Sequence, residues 1–133
     1  KIDPKANKVA FLDEYLDVCK EKEMVPVIEI KMEYTTNGRV ADGRMQGVVE
    51  DDLQQLSDTV ESKMNGGQYM FIAYDFDTMV EMRKIVKDMP NVKTYSNVTN
   101  DPSESMINYY YKRGIALDCN YEKISNATLE KIP

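Results

Sequence analysis

Short apolar runs alternate with longer segments of helical periodicity along this chain. The apolar runs predict four strands, at Val25–Lys31, Tyr69–Ala73, Val92–Tyr95 and Ile115–Asp118. Apolar residues three and four positions apart predict helices over Phe11–Glu23, Asp51–Met64, Asp77–Met89 and from Asp101 to Gly114, with a last short helix from Ser125 or Asn126. This alternation predicts an α/β fold in which right-handed crossovers join the strands of a parallel sheet.

Two architectures fit this order of elements, a three-layer open sheet and a closed (β/α)8 barrel. No Gly-rich phosphate-binding loop follows any predicted strand, which argues against a nucleotide-binding domain of the open-sheet type. The segment Met32–Val49 carries Asn-Gly and Asp-Gly turn signals and is predicted to be a long loop. Loops of that length are uncommon unless they are functional or mobile.

Local capping signals predict where two of the helices begin. Asp77 is placed to cap the third helix. Asp101, Pro102 and Glu104 form a helix start, with a capping Asp, a Pro at the first helical position and a Glu three residues after the cap.

The first predicted strand carries two charges inside an aliphatic run. Because side chains alternate along a strand, Glu29 and Lys31 share one face, and Ile28 and Ile30 share the other. A strand of this apolar character is expected to be buried, and an unpaired buried charge costs free energy. Each charge therefore needs a partner, which is either the neighbouring charge or a metal ion and an anionic ligand.

Composition narrows the possible functions. The 133 residues suffice for a single domain spanning 1–133, and the net charge of −6 argues against a nucleic-acid partner. No apolar run approaches the roughly 20 residues of a membrane-spanning helix. No targeting segment is visible, so the compartment stays open between cytoplasm and an extracellular or virion surface. Two cysteines, Cys19 and Cys119, are too few for a disulfide framework.

The sequence contains no histidine. No mechanism that needs an imidazole acid, base or metal ligand can therefore be carried out by this chain alone.

Two segments resemble the glycerophosphodiester phosphodiesterase family. That family has a Pro-Thr-Leu-x-Glu-x-Leu helix start, to which Leu12, Glu14 and Leu16 correspond, followed by a strand that ends in Glu-Ile-Lys, as Val27–Lys31 does. The helix start departs from the pattern, with Ala10 and Phe11 at the positions where Pro and Thr are usual.

The resemblance continues more loosely through the rest of the chain. Ala73–Asp77 is similar to a family strand that ends in Ser-Phe-Asp, and Gly114–Asp118 is similar to the seventh barrel strand. The resemblance implies that this chain is a partial (β/α)8 barrel, supplying strands four to seven, with strands one to three and eight missing from it.

The resemblance also implies a reaction and a site. The family hydrolyses glycerophosphodiesters to glycerol phosphate and an alcohol, with a divalent cation, Mg²⁺ or Ca²⁺, and two histidines. Glu29 corresponds to a metal carboxylate, and Lys31 to the residue beside the substrate phosphate. Since the two histidines would lie in the missing front part, this chain alone is expected to be inactive, and whether it holds a cation by itself is left open.

Asp75 and Asp118 each follow a predicted strand and would share a barrel rim with Lys31. Together with Glu29 they could form an acidic, cation-attracting opening of the barrel. However, Asp75 stands where the family has Ser, and Asp118 can equally cap a turn. We therefore expect structural roles for both.

Two alternatives to the enzyme remain. The first is a non-catalytic module of the same fold used for binding or assembly, and the second is an unrelated flavodoxin-like α/β domain. Four strands of a barrel leave two open edges, so self-association through those edges is expected.

Overall fold

The computed structural model describes residues 9–36, 47–98 and 100–132. Its elements are, in order, α1 (Leu12–Glu21), β1 (Val27–Ile30), α2 (Glu50–Met64), β2 (Tyr69–Ala73), α3 (Phe76–Ile85), β3 (Val92–Val98), α4 (Glu104–Tyr111), β4 (Ala116–Cys119) and α5 (Asn126–Leu129). Every predicted strand and helix is present, with shifts of a few residues at the ends. The predicted loop Met32–Val49 lies partly outside the described residues.

The four strands form one parallel sheet in which chain neighbours are also hydrogen-bonded neighbours, in the order β1-β2-β3-β4. A doubly wound sheet of the flavodoxin type has the order 2-1-3-4-5, with a reversal that the described strands do not have. On the helical side, α1 packs against α2, and α2 packs against α3. The fold is therefore α/β, with a four-stranded, all-parallel sheet whose strands alternate with helices.

The two faces of the sheet differ in burial. One face supplies the strand residues of the core: Ile28, Ile30, Tyr69, Phe71, Ala73 and Val92. They pack against apolar side chains of the helices, among them Leu16, Leu53, Val60, Met79 and Met82. The opposite face, with Val27 and Glu29 on β1, stays open to solvent in the described ranges. The first strand was expected to be buried and is only half-buried, because the described helices pack on one face.

Two of the predicted helix caps are wrong. Asp75, not Asp77, caps α3, because its carboxylate reaches the backbone N–H of Thr78 three residues further on. Ser103, not Asp101, caps α4, and its hydroxyl accepts from Met106 N at 3.2 Å.

Asp101 instead joins two distant segments. Its Oδ1 accepts a hydrogen bond from Ser125 N at 3.2 Å, just before α5. Hydrogen bonds from Thr128 and Ser125 hold the pKa of Asp101 below its usual range, against a smaller opposing effect of burial. A tertiary contact thus occupies the side chain that the local pattern assigned to a helix cap.

Both ends of the described sheet are open, since β1 pairs only with β2 and β4 only with β3. On α1 the buried residues are Leu16 and Cys19, whereas Val18 is 52% exposed. Val18 on α1 and Val27 on β1, the edge strand, therefore both expose apolar side chains. Among the described residues, no helix has the length and apolar character that crossing a bilayer requires.

Candidate functional site

The carboxyl ends of the four strands bring polar residues into one line. Asn97 and Asp118 are partners in the register of β3 and β4. Lys31 and Tyr74 directly follow the paired last residues of β1 and β2. The register of β2 with β3 places Tyr74 next to Asn97 in the same way. We call this set the carboxyl-end row: Lys31, Tyr74, Asn97 and Asp118. With neighbouring strands about 4.8 Å apart, the row extends roughly 15 Å along the open face.

Glu29 and Lys31 form an ion pair at the β1 end of this row. Lys31 Nζ lies 2.9 Å from Glu29 Oε2, and the two side chains are 77% and 37% exposed, respectively. The prediction that they share one face of the strand, opposite Ile28 and Ile30, is confirmed by the burial pattern of β1, and that face is open to solvent. In this structure each charge has the other as its partner. An exposed pair of this kind contributes at most about 1 kcal/mol to stability.

A metal centre is not assembled from the described residues, because they contain no group of three or more His, Cys, Asp or Glu placed to hold one ion. Glu29 offers carboxylate oxygens of the kind that Mg²⁺ and Ca²⁺ prefer, but a single carboxylate supplies only one or two of the six or more oxygen ligands that these ions take.

Asp75 lies at the same end of the sheet and has a structural role. Its Oδ2 accepts from Thr78 N at 2.8 Å, from Thr78 Oγ1 at 2.7 Å and from Tyr34 N at 3.1 Å. Burial raises the pKa of Asp75, but the hydrogen bonds from Thr78, Tyr34 and Asp77 outweigh burial, so the net pKa lies below the usual value. Three donors on one oxygen leave Asp75 as an anchor of the fold.

A cavity of about 370 Å³ opens at the other end of the row. It is lined by Tyr74, Asn97, Val98, Asp118, Cys119, Asn120 and Lys123. The turn after β4 is capped by Asn120, whose Oδ1 accepts from Glu122 N at 3.0 Å, so the predicted turn-capping role of Asp118 is wrong. Within the described ranges, no hydrogen bond or ion pair engages the Asp118 carboxylate or the Lys123 ammonium.

Sequence reasoning missed Asn97, Asn120 and Lys123 as members of this cavity. Asn97 carried a weak signal, because a polar residue two positions after Tyr95 continues the open face of β3. Asn120 and Lys123 lie on a turn, and no periodicity relates a turn to a strand end.

A larger cavity of about 900 Å³ lies at the opposite end of the sheet, lined among others by Arg83, Lys87, Val92 and Ile115. None of the predicted site residues lines it. Since ligands of open parallel α/β sheets bind beyond the carboxyl ends of the strands, we take the smaller cavity as the candidate site.

Comparison with known proteins identified no family model, no curated protein and no solved structure that matches this chain.

Proposed function

We propose that this chain is part of a (β/α)8 barrel of the glycerophosphodiester phosphodiesterase type, in which it supplies strands four to seven. The intact domain hydrolyses glycerophosphodiesters to glycerol phosphate and an alcohol with the help of Mg²⁺ or Ca²⁺. The observation that carries the proposal is the position of Glu29 and Lys31, side by side on the open face at the carboxyl end of β1, within a Glu-Ile-Lys strand end.

The strand order supports the barrel. Chain neighbours are sheet neighbours throughout, and the described helices cover one face, as they do in the wall of a barrel. The second face is then the lumen, and the two open edges are where further strands add.

Glu29 and Lys31 have different roles in this proposal. When bound, a divalent cation would supply Lewis-acid stabilisation of the charge on the phosphoryl oxygens. Glu29 would hold that ion through a carboxylate oxygen, and Lys31 would place positive charge beside the phosphoryl group. Since both side chains are exposed, separating their ion pair to admit a ligand costs little.

Proton transfer has to come from outside this chain. With no histidine, the chain has no side chain that titrates near neutral pH without a shifted pKa. We therefore expect the isolated chain to release no glycerol phosphate from glycerophosphocholine.

A non-catalytic binding module of the same fold is the second candidate. It is favoured by the absence of histidine and by the pairing of Glu29 with Lys31 in place of a metal cluster among the described residues.

The test is a calorimetric titration of Mg²⁺ and Ca²⁺ into the polypeptide that carries the remaining barrel strands. Glu29→Gln is expected to weaken cation binding and to abolish hydrolysis, with Glu33→Gln as the matched control at an exposed glutamate nearby. Unchanged cation affinity in Glu29→Gln would remove Glu29 from the site. If the sequence that supplies the remaining barrel strands lacks the two histidines, the binding module is favoured.

A further inference from the structure

The cavity beside the carboxyl-end row presents opposite charges together. The Asp118 carboxylate and the Lys123 ammonium both line it, and neither has a hydrogen bond or ion pair within the described part of the chain. Tyr74, 66% exposed, adds an aromatic ring and a phenol at its edge. A ligand in this cavity therefore meets an acceptor, a donor and a ring face within a small volume.

Asn97 adds an unmet hydrogen-bond requirement. Its Oδ1 is buried and has no hydrogen-bond partner among the described residues. An unpartnered buried acceptor costs about 1–3 kcal/mol, so a donor that reaches it is stabilising. The Asn97 side chain also lines the cavity, so this unmet acceptor lies at the cavity wall.

These groups discriminate between classes of ligand. A cationic headgroup is attracted by Asp118 and repelled by Lys123. An anionic group is attracted by Lys123 and repelled by Asp118. An apolar chain would desolvate both charges without replacing their hydration, which is costly. A hydroxyl group both donates and accepts, so a neutral polyol can donate to Asp118 and Asn97 while it accepts from Lys123.

We propose that this cavity binds a neutral polyhydroxylated ring, such as a cyclitol or a sugar. We further assign this ring as the alcohol part of the diester substrate, an assignment that rests on the proposed function. Tyr74, which lies between Lys31 and Asn97 in the row, also lines the cavity, so the cavity opens beside the row that begins at Lys31.

The proposal is tested on the full 133-residue chain by titration with myo-inositol, followed by ¹H–¹⁵N correlation spectra. The expected result is saturable shifts of the amides that line the cavity, those of Tyr74, Asn97, Asp118, Asn120 and Lys123. Asp118→Asn is expected to weaken binding about tenfold, because it replaces a charged acceptor by a neutral one. Asp88→Asn, the same change at an exposed aspartate at the other end of the sheet, leaves binding unchanged.

Choline chloride and inorganic phosphate serve as charged competitors. Absence of inositol shifts, equal weakening by Asp88→Asn, or tighter binding of either ion in the cavity would each overturn the proposal. The proposed function is measured separately, by cation binding to Glu29 in the barrel, so either idea can fail while the other stands.

Discussion

Asp75 accepts a hydrogen bond from the backbone N–H of Tyr34, with 3.1 Å between Oδ2 and N, and this bond links the segment after β1 to the start of α3. The same carboxylate caps α3 through Thr78. One side chain thus fixes both a helix end and the chain that leaves the β1 end of the carboxyl-end row.

Replacement of this carboxylate should be costly. Asp75→Ala is expected to lower the free energy of unfolding by about 2 kcal/mol, because it removes a cap and leaves the Tyr34 N–H without its acceptor. Urea denaturation measures the loss. Asp77→Ala, in the first turn of the same helix but without the capping bond, should cost no more than about 1 kcal/mol. Equal losses in the two variants would contradict the anchoring role.

The contribution of Asp75 should depend on pH. Its pKa is lower in the folded protein than its ordinary value of about 3.9. The carboxylate therefore stabilises the fold fully above that ordinary value, and the contribution is lost as the pH falls through the folded pKa. The stability difference between wild type and Asp75→Ala should narrow between pH 6 and pH 3, as compared by urea denaturation at each pH. A constant difference over this range would argue against an ionised anchor.

Tyr69 makes a part-buried hydrogen bond to a carboxylate. Its hydroxyl donates to Glu61 Oε2 at 2.9 Å, and burial, followed by the bond to Glu61, raises the pKa of Tyr69 far above its usual value. Tyr69→Phe should lower stability by about 1.5–3 kcal/mol, since the bond is to a charged group. Tyr121→Phe, at a ring that is 81% exposed, should change stability by less than about 0.5 kcal/mol. Because the pKa of Tyr69 is raised in the folded protein, its contribution to the free energy of unfolding is complete below pH 10 and is lost as the pH rises further.

The Cys119 thiol should report the charge of Asp118. Burial, followed by the negative charges of Asp118 and Asp101, raises the pKa of Cys119. Asp118→Asn is expected to lower that pKa and to speed alkylation by iodoacetamide at pH 8, because more thiolate is present. Cys19 is buried and should react slowly in both proteins, and Asp88→Asn serves as the control. An unchanged rate would mean that Asp118 does not act on this thiol.

The open β1 edge should drive self-association. The exposed apolar residues from the segment before α1 through the start of β1 are Val9, Phe11, Tyr15, Val18, Met24, Val25 and Val27. Such a surface beside an unpaired strand favours contact with another chain. Sedimentation velocity should show concentration-dependent association, which Val18→Lys reduces and Ser62→Lys, on the exposed side of α2, does not. A monodisperse monomer at every accessible concentration would contradict this prediction.

The sequence by itself determined the kinds and the order of the elements. Periods of two and of about 3.6 are local properties, so the strand Tyr69–Ala73 could be predicted residue for residue. The shared face of Glu29 and Lys31 follows from the same alternation. The hydrophobic pattern could not show that the second face of β1 is open, because burial depends on which elements pack against it.

Only the tertiary structure decided how distant polar residues meet. Asp75 and Asp118 occupy similar positions at strand ends. The Asp75 carboxylate accepts hydrogen bonds from Thr78 and Tyr34, whereas the Asp118 carboxylate lines a cavity and has no hydrogen bond among the described residues. Strand register places Asn97 beside Asp118, and a turn brings Lys123 to the same cavity. These contacts join residues far apart in the chain, and no local periodicity encodes them.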